Sequence, residues 1–126
     1  MLGSSRGGFD AEKIIKAVQD HGCNMIIGIG GDGTHRALNK LQEVIVQKKL
    51  KIVIGGVPKT IDNDIPIIDK SFGYTTSVAE AVRAIESAEV EALAAENGIG
   101  LVKVMGRSAG HIALGATLSH RSVNVC

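Results

Sequence analysis

Asp62 and Asp64 stand two residues apart in the run Pro58-Lys59-Thr60-Ile61-Asp62-Asn63-Asp64. In an extended stretch that spacing sends both carboxylates to the same side. Two such charges repel unless a cation or a hydroxyl proton engages them. One is then suited to act as general base toward an alcohol, and the other to orient Mg²⁺ or the base itself. Aspartates are also ordinary Asx-turn residues of surface loops, so this loop alone leaves two readings open.

A second cluster, Gly28-Ile29-Gly30-Gly31-Asp32-Gly33, matches G-x-G-x-x-G at positions 28, 30 and 33. A dinucleotide site would also need an acidic residue about 20 positions on, at the end of the next strand. That region reads Ile52-Val53-Ile54-Gly55-Gly56 and has none. Asp32 would moreover face a pyrophosphate without neutralisation unless a metal ion lay between them. The glycines are better read as points of phosphate approach, with Asp32 a ligand, directly or through water, of nucleotide-bound Mg²⁺. Thr34, expected to cap the following helix, has a hydroxyl and an N–H for phosphate oxygens. The competing reading is a tight turn with Asp32 as a cap, but three glycines exceed what such a turn requires.

Arg107 lies between Gly106 and Ser108 at an expected helix start, where the dipole disfavours a positive charge. That cost points to an anion, which a guanidinium grips bidentately. Arg6, in Gly3-Ser4-Ser5-Arg6-Gly7-Gly8, reads either as a tail residue or as a further phosphate contact.

Alternating elements must position these loops. Ala11, Ile14, Ile15 and Val18 share one helical face, with Asp10 as N-cap and Gly22 past the end. Residues 24–29 read as a buried strand, and Leu38, Leu41, Val44 and Ile45 as the inner face of the next helix. A second strand is predicted over 51–54, then a loop over 58–66 whose two prolines exclude a helix. An Ala-rich helix follows over about 76–95, stopped by Asn97-Gly98. A third strand over 99–104, a helix through about 119 and the start of a fourth strand over 123–126 complete the pattern. Such alternation predicts an α/β fold, a parallel sheet with flanking helices in one compact unit spanning residues 1–126. Ligands then collect at the carboxyl ends of the strands, where all three unusual loops lie.

Composition narrows the partners. With 44% hydrophobic but only 2% aromatic residues, the core must be built from Ile, Val, Leu and Ala. Fourteen basic residues against thirteen acidic ones, without a basic run, argue against nucleic acid. No stretch has the apolar length of a signal peptide or membrane span, so a soluble, cytoplasmic protein is expected. Cys23 and Cys126 lack metal-ligand spacing and read as reduced thiols, and His21, His35, His111 and His120 are scattered. Any cation should therefore be held by oxygen.

Gly3-Ser4-Ser5-Arg6, Gly31-Asp32-Gly33-Thr34, Pro58 to Asp64 and Met105-Gly106-Arg107 together resemble, in order and spacing, the phosphofructokinase family. The first aspartate motif alone is shared with NAD and lipid kinases, a remote alternative that gives no account of Asp62, Asp64 or Arg107. The resemblance implies a Rossmann-like lobe that transfers the γ-phosphoryl group of ATP to the 1-hydroxyl of fructose 6-phosphate. It makes Asp62 the base and lets Thr60 and Ile61 line the sugar site, with Met105, Gly106 and Arg107 against the sugar phosphate. Asp32 would hold Mg²⁺ with Asp64 close by, and Arg6, Gly7, Gly31, Gly33 and Thr34 would contact nucleotide phosphates. A homo-oligomer is implied for the complete enzyme.

Two departures bear on the donor and the assembly. In the family, Asp after G-G-D marks pyrophosphate users and Gly marks ATP users, while Lys before T-I-D is typical of the former. Gly33 therefore indicates ATP, and Lys59 is shared with the pyrophosphate type. This mixture is similar to the ATP-dependent enzymes of plants and protists, and pyrophosphate dependence is the alternative. Bacterial members carry an arginine before the third strand that reaches a neighbouring subunit, where this chain has Gly98. Against the family pattern, a first strand with its own Gly-rich loop and a second lobe are missing. The isolated chain is therefore expected to be inactive, and a non-catalytic nucleotide-binding role is the rival class.

Overall fold

The structure is a computed structural model that describes residues 7–107 and 109–126. Its contacts divide the chain into two compact units, Met1–Pro58 and Lys59–Cys126.

In the first unit, helix α1 (Ala11–Asp20) starts as its cap predicts, with Asp10 Oδ1 accepting the Lys13 N–H at 3.1 Å. It ends at His21 and Gly22, where a φ of 65° suits glycine. Strand β1 (Met25–Gly30) leads into helix α2 (Asp32–Gln47), which returns the chain to strand β2 (Val53–Thr60). The strands pair in parallel from Met25 with Val53 to Gly30 with Pro58.

Ile15, Leu41, Ile45 and Ile52 form the buried core, with Ile26 and Ile54 packed against it. Burying a side chain such as Leu41 is worth roughly 1.5–3 kcal/mol. Strand alternation sets which residues join: Met25, Ile27 and Ile29 are 58–62% exposed while their neighbour Ile26 faces the helices.

In the second unit, the last residues of β2 pair in parallel with strand β3 (Phe72–Gly73), Lys59 with Phe72 and Thr60 with Gly73. Helix α3 (Tyr74–Leu93) follows, then helix α4 (His111–Ser119). These two helices meet through Ala81, Ile112 and Ala116, all buried, with Ile61, Tyr74, Val82, Ile85 and Val104 around them. Small residues at that contact let the backbones approach. The Tyr74 hydroxyl donates to His111 O at 3.1 Å and ties the two helix starts together.

The fold class is the expected one, a parallel sheet of order β1-β2-β3 with helices beside it. Its details differ at four points. Thr34 does not cap α2, because Gly31 takes that position and Thr34 sits in the first turn. Strand β2 continues through Pro58 to Thr60, so the loop begins only at Ile61. Proline is tolerated there because the β1 ladder ends at Pro58 and the β3 ladder begins one residue later. Residues 99–104 and 123–126 form no strand. Val102 and Val104 are half-buried between exposed Leu101 and Lys103, a strand-like alternation with no ladder among the described residues. No helix described is long and apolar enough to cross a membrane.

Candidate active site

Four of the residues expected to contact a nucleotide, Gly31, Asp32, Gly33 and Thr34, lie at the start of α2. Gly31 is the N-cap and makes no side-chain capping bond, so Asp32, Gly33 and Thr34 occupy the first turn. Helix geometry leaves their N–H groups without an intrahelical acceptor, and the dipole adds partial positive charge. An anion fits that arrangement.

The three glycines of the fingerprint do different things. A Cβ on Gly28 would come within 2.6 Å of Leu38 Cδ1, and one on Gly30 would strike the Thr34 side chain. Those two serve close packing of α2 on β1. Gly33 has open space around it and no left-handed φ. Neither packing nor backbone conformation requires glycine at 33.

Asp32 Oδ1 accepts from Arg36 Nε at 3.0 Å, one helical turn on. Arg36 is a neighbour that motif reading passed over, although the i,i+4 spacing of opposite charges was there to be seen. Gly7 is exposed backbone ahead of α1, and Arg6 lies outside the described residues.

On the acceptor side, a pocket of about 180 Å³ is lined by Asp62, Asp64, Met105, Gly106, Arg107 and His111, among others. It is smaller than the roughly 300–1,000 Å³ of a full ligand pocket. Arg107 stands over both carboxylates: its Nε is 3.8 Å from Asp62 Oδ2 and its Nη2 is 3.7 Å from Asp64 Oδ2. Both distances are ion-pair contacts longer than hydrogen bonds. The guanidinium side chain is 75% exposed, so it remains free to turn to an anion, and the pairs add little stability. Gly106, with a φ of 120°, makes the bend that brings Arg107 to the aspartates.

The sequence expected Asp62 and Asp64 to share a side through an extended backbone. They do meet one partner, but Asn63 between them is left-handed, with a φ of 52°. Thr60 and Ile61 are not among the pocket's lining residues. The Thr60 hydroxyl accepts the Asp62 N–H at 3.1 Å, and Ile61 packs on the α3–α4 core. Lys59 is exposed near the end of β2. Ser108 lies outside the described residues.

Asp64 Oδ1 is buried and has no hydrogen-bond partner among the described residues. A carboxylate oxygen removed from water in that way is costly unless a cation meets it. No cluster of three His, Cys, Asp or Glu residues suited to a metal occurs among those described. Mg²⁺ does not need one, since it is held through one or two carboxylates together with substrate phosphates and water.

A phosphate-type helix start in one unit, and paired carboxylates under an arginine in the other, are parts that phosphoryl-transfer proteins use. The phosphofructokinase family model matches residues 1–126. ATP-dependent 6-phosphofructokinase 7 of Arabidopsis thaliana is 55% identical over the whole chain, and ATP-dependent 6-phosphofructokinase of Borreliella burgdorferi is 48% identical, also over the whole chain. The chain covers 26% and 28% of those relatives, about a quarter of their length. The crystal structure of a pyrophosphate-dependent phosphofructokinase from Marinobacter aquaeolei superposes with a TM-score of 0.70 at 28% identity, over 95% of this chain and 31% of that one. This chain belongs to the phosphofructokinase family.

Proposed function

We propose that the chain carries catalytic parts of an ATP-dependent 6-phosphofructokinase. The reaction moves the γ-phosphoryl group of ATP to the 1-hydroxyl of fructose 6-phosphate and yields fructose 1,6-bisphosphate for glycolysis. The meeting of Asp62, Asp64 and Arg107 at one pocket carries this reading, because it sets a base, a cation ligand and an anion clamp side by side. Asp62 accepts the hydroxyl proton, while Met105, Gly106 and Arg107 face the sugar phosphate. Gly31, Gly33 and Thr34 receive nucleotide phosphates at the α2 start, with Arg6 and Gly7 contributing. Thr60 and Ile61 complete the sugar side by holding the aspartate loop.

Asp32 is the residue that would hold Mg²⁺, and Asp64, whose Oδ1 has no partner among the described residues, is a further candidate ligand. When bound, the ion neutralises charge on the phosphoryl oxygens. The complete enzyme is proposed to be a cytoplasmic homo-oligomer. Two relatives are named as chloroplastic, so cell fractionation decides the compartment.

Lys59 and the likeness to the Marinobacter enzyme favour a second reading, pyrophosphate as donor. A coupled assay of a complete enzyme carrying this sequence, run with Mg-ATP and with pyrophosphate, decides between them. Turnover with neither would sink both. The non-catalytic alternative is tested in the same complete enzyme by calorimetry with Mg-ATP, since binding without turnover there supports it.

Arg107 offers a sharper check on the acceptor. Charge-assisted hydrogen bonds are worth roughly 1.5–3 kcal/mol each, so Arg107→Ala should weaken fructose 6-phosphate at least about tenfold. ATP affinity should hold. The guanidinium side chain is 75% exposed and its ion pairs add little stability, so equal losses for both ligands in a variant that circular dichroism shows to be folded would contradict the assignment.

A further inference from the structure

Asn63 lies between the two carboxylates yet is not among the residues lining their pocket. Its left-handed backbone is one that asparagine tolerates better than most side chains. Its Oδ1 accepts the Ser71 N–H at 2.8 Å, and its Nδ2 donates to Asp69 O at 3.2 Å. Ser71 is 4% exposed, the one buried polar residue among those described. The Ser71 hydroxyl donates to Thr60 O at 2.7 Å, which makes its 3.3 Å approach to Asn63 Oδ1 secondary, since a hydroxyl has one proton. Thr60 Oγ1 in turn accepts the Asp62 N–H.

These bonds close the loop from Thr60 to Ser71 on itself. Only two strand pairs, Lys59 with Phe72 and Thr60 with Gly73, otherwise hold its ends together. A two-pair ladder leaves the middle of such a loop free to move unless side chains fix it. The fixing side chains are those of Asn63 and Ser71, and what they fix is the backbone on which Asp62 and Asp64 ride.

We infer that Asn63 and Ser71 are positioning residues, a clasp that sets Asp62 and Asp64 for proton acceptance and cation binding. The inference rests on the proposed phosphoryl transfer. Ser71→Ala removes the bond to Thr60, and Ser71→Thr keeps a hydroxyl there. Asn63→Gly removes the side-chain bonds while retaining a residue at ease with positive φ, so neither deletion has to unfold the protein.

In a complete enzyme carrying this sequence, both deletions should lower kcat about tenfold, below the ~10²-fold cost of a 1 Å misplacement. KM for fructose 6-phosphate and for ATP should stay within about twofold. Deuterium exchange of the 60–71 amides should quicken in both, while exchange in the α2 core stays put. Ser71→Thr should recover most of the turnover. Unchanged kcat, or a loss expressed in KM alone, would overturn the clasp, as would unaltered exchange of the loop. Wild-type enzyme without fructose 6-phosphate turnover would instead remove the reaction on which the clasp acts, and the exchange rates would separate that failure from a loop that was never clasped.

Discussion

Replacing Asp62 by Asn in a complete enzyme carrying this sequence should cut turnover by roughly 10²–10⁴-fold, the usual worth of general acid–base catalysis. The substitution keeps the shape of the side chain and removes its ability to take a proton. The loop should survive it, since the backbone N–H of Asp62, bonded to Thr60 Oγ1, is unaffected and the carboxylate meets Arg107 only at 3.8 Å. Substrate affinity should change far less than turnover. Steady-state kinetics with fructose 6-phosphate varied at saturating ATP measure both. A variant that keeps more than about half of the wild-type turnover would remove Asp62 from the base role, because that residual lies well outside the expected range.

Where local chemistry decides the structure, the residues announce it. Asp10 caps α1 because its carboxylate reaches Lys13 N–H three residues on, a relation visible in the order of side chains. The inner faces of α1 and α2 follow from spacing, and Ile15, Leu41 and Ile45 are buried as that spacing predicts. Gly31 as the cap of α2 carries no side-chain signal, so Thr34, a good capping type, drew the expectation three residues too far. Pro58 inside β2 was hidden for the opposite reason. Proline usually argues against a strand, and only the hand-over from one ladder to the next makes it harmless. The stretch 99–104 has a strand's composition and alternation, but a strand needs a partner that composition does not supply. Ile99 and Leu101 accordingly remain 91% exposed.

The acceptor side shows the same division. Asp62, Asp64 and Arg107 could be picked out by type, and the pocket brings them together. That Arg107 is itself the cation over the two aspartates could not be read, because it depends on contact between segments more than 40 residues apart. Asn63 and Ser71 were invisible for a related reason. Their bonds join positions eight residues apart across a loop whose path the sequence does not reveal.

Exchanging Gly33 for Asp should lower ATP use about a hundredfold and affect pyrophosphate less. The family resemblance supplies the alternation of Gly and Asp at this position, and the structure supplies the physical room for it. A side chain at 33 would meet nothing within 4 Å, and no left-handed backbone resists it. Glycine inside a helix costs about 1 kcal/mol relative to alanine, and an acidic residue in the first turn suits the dipole. The variant should therefore fold at least as well as the parent, so lost activity cannot be charged to stability. On the proposed reading, what changes is the start of α2, where a carboxylate would face the α-phosphate of ATP. Two unit charges about 5 Å apart at an effective dielectric near 20 repel by roughly 3 kcal/mol, before any relief from Mg²⁺. That energy corresponds to about a hundredfold in rate. Pyrophosphate has no α-phosphate or nucleoside to meet the new charge, and the exposed Lys59 near the end of β2 is already in place to favour it. The measurement is the ratio of kcat/KM for ATP to that for pyrophosphate, in parent and variant of a complete enzyme. A ratio that does not fall, or a parent that already prefers pyrophosphate, would overturn ATP as the donor while leaving the acceptor chemistry at Asp62 and Arg107 standing.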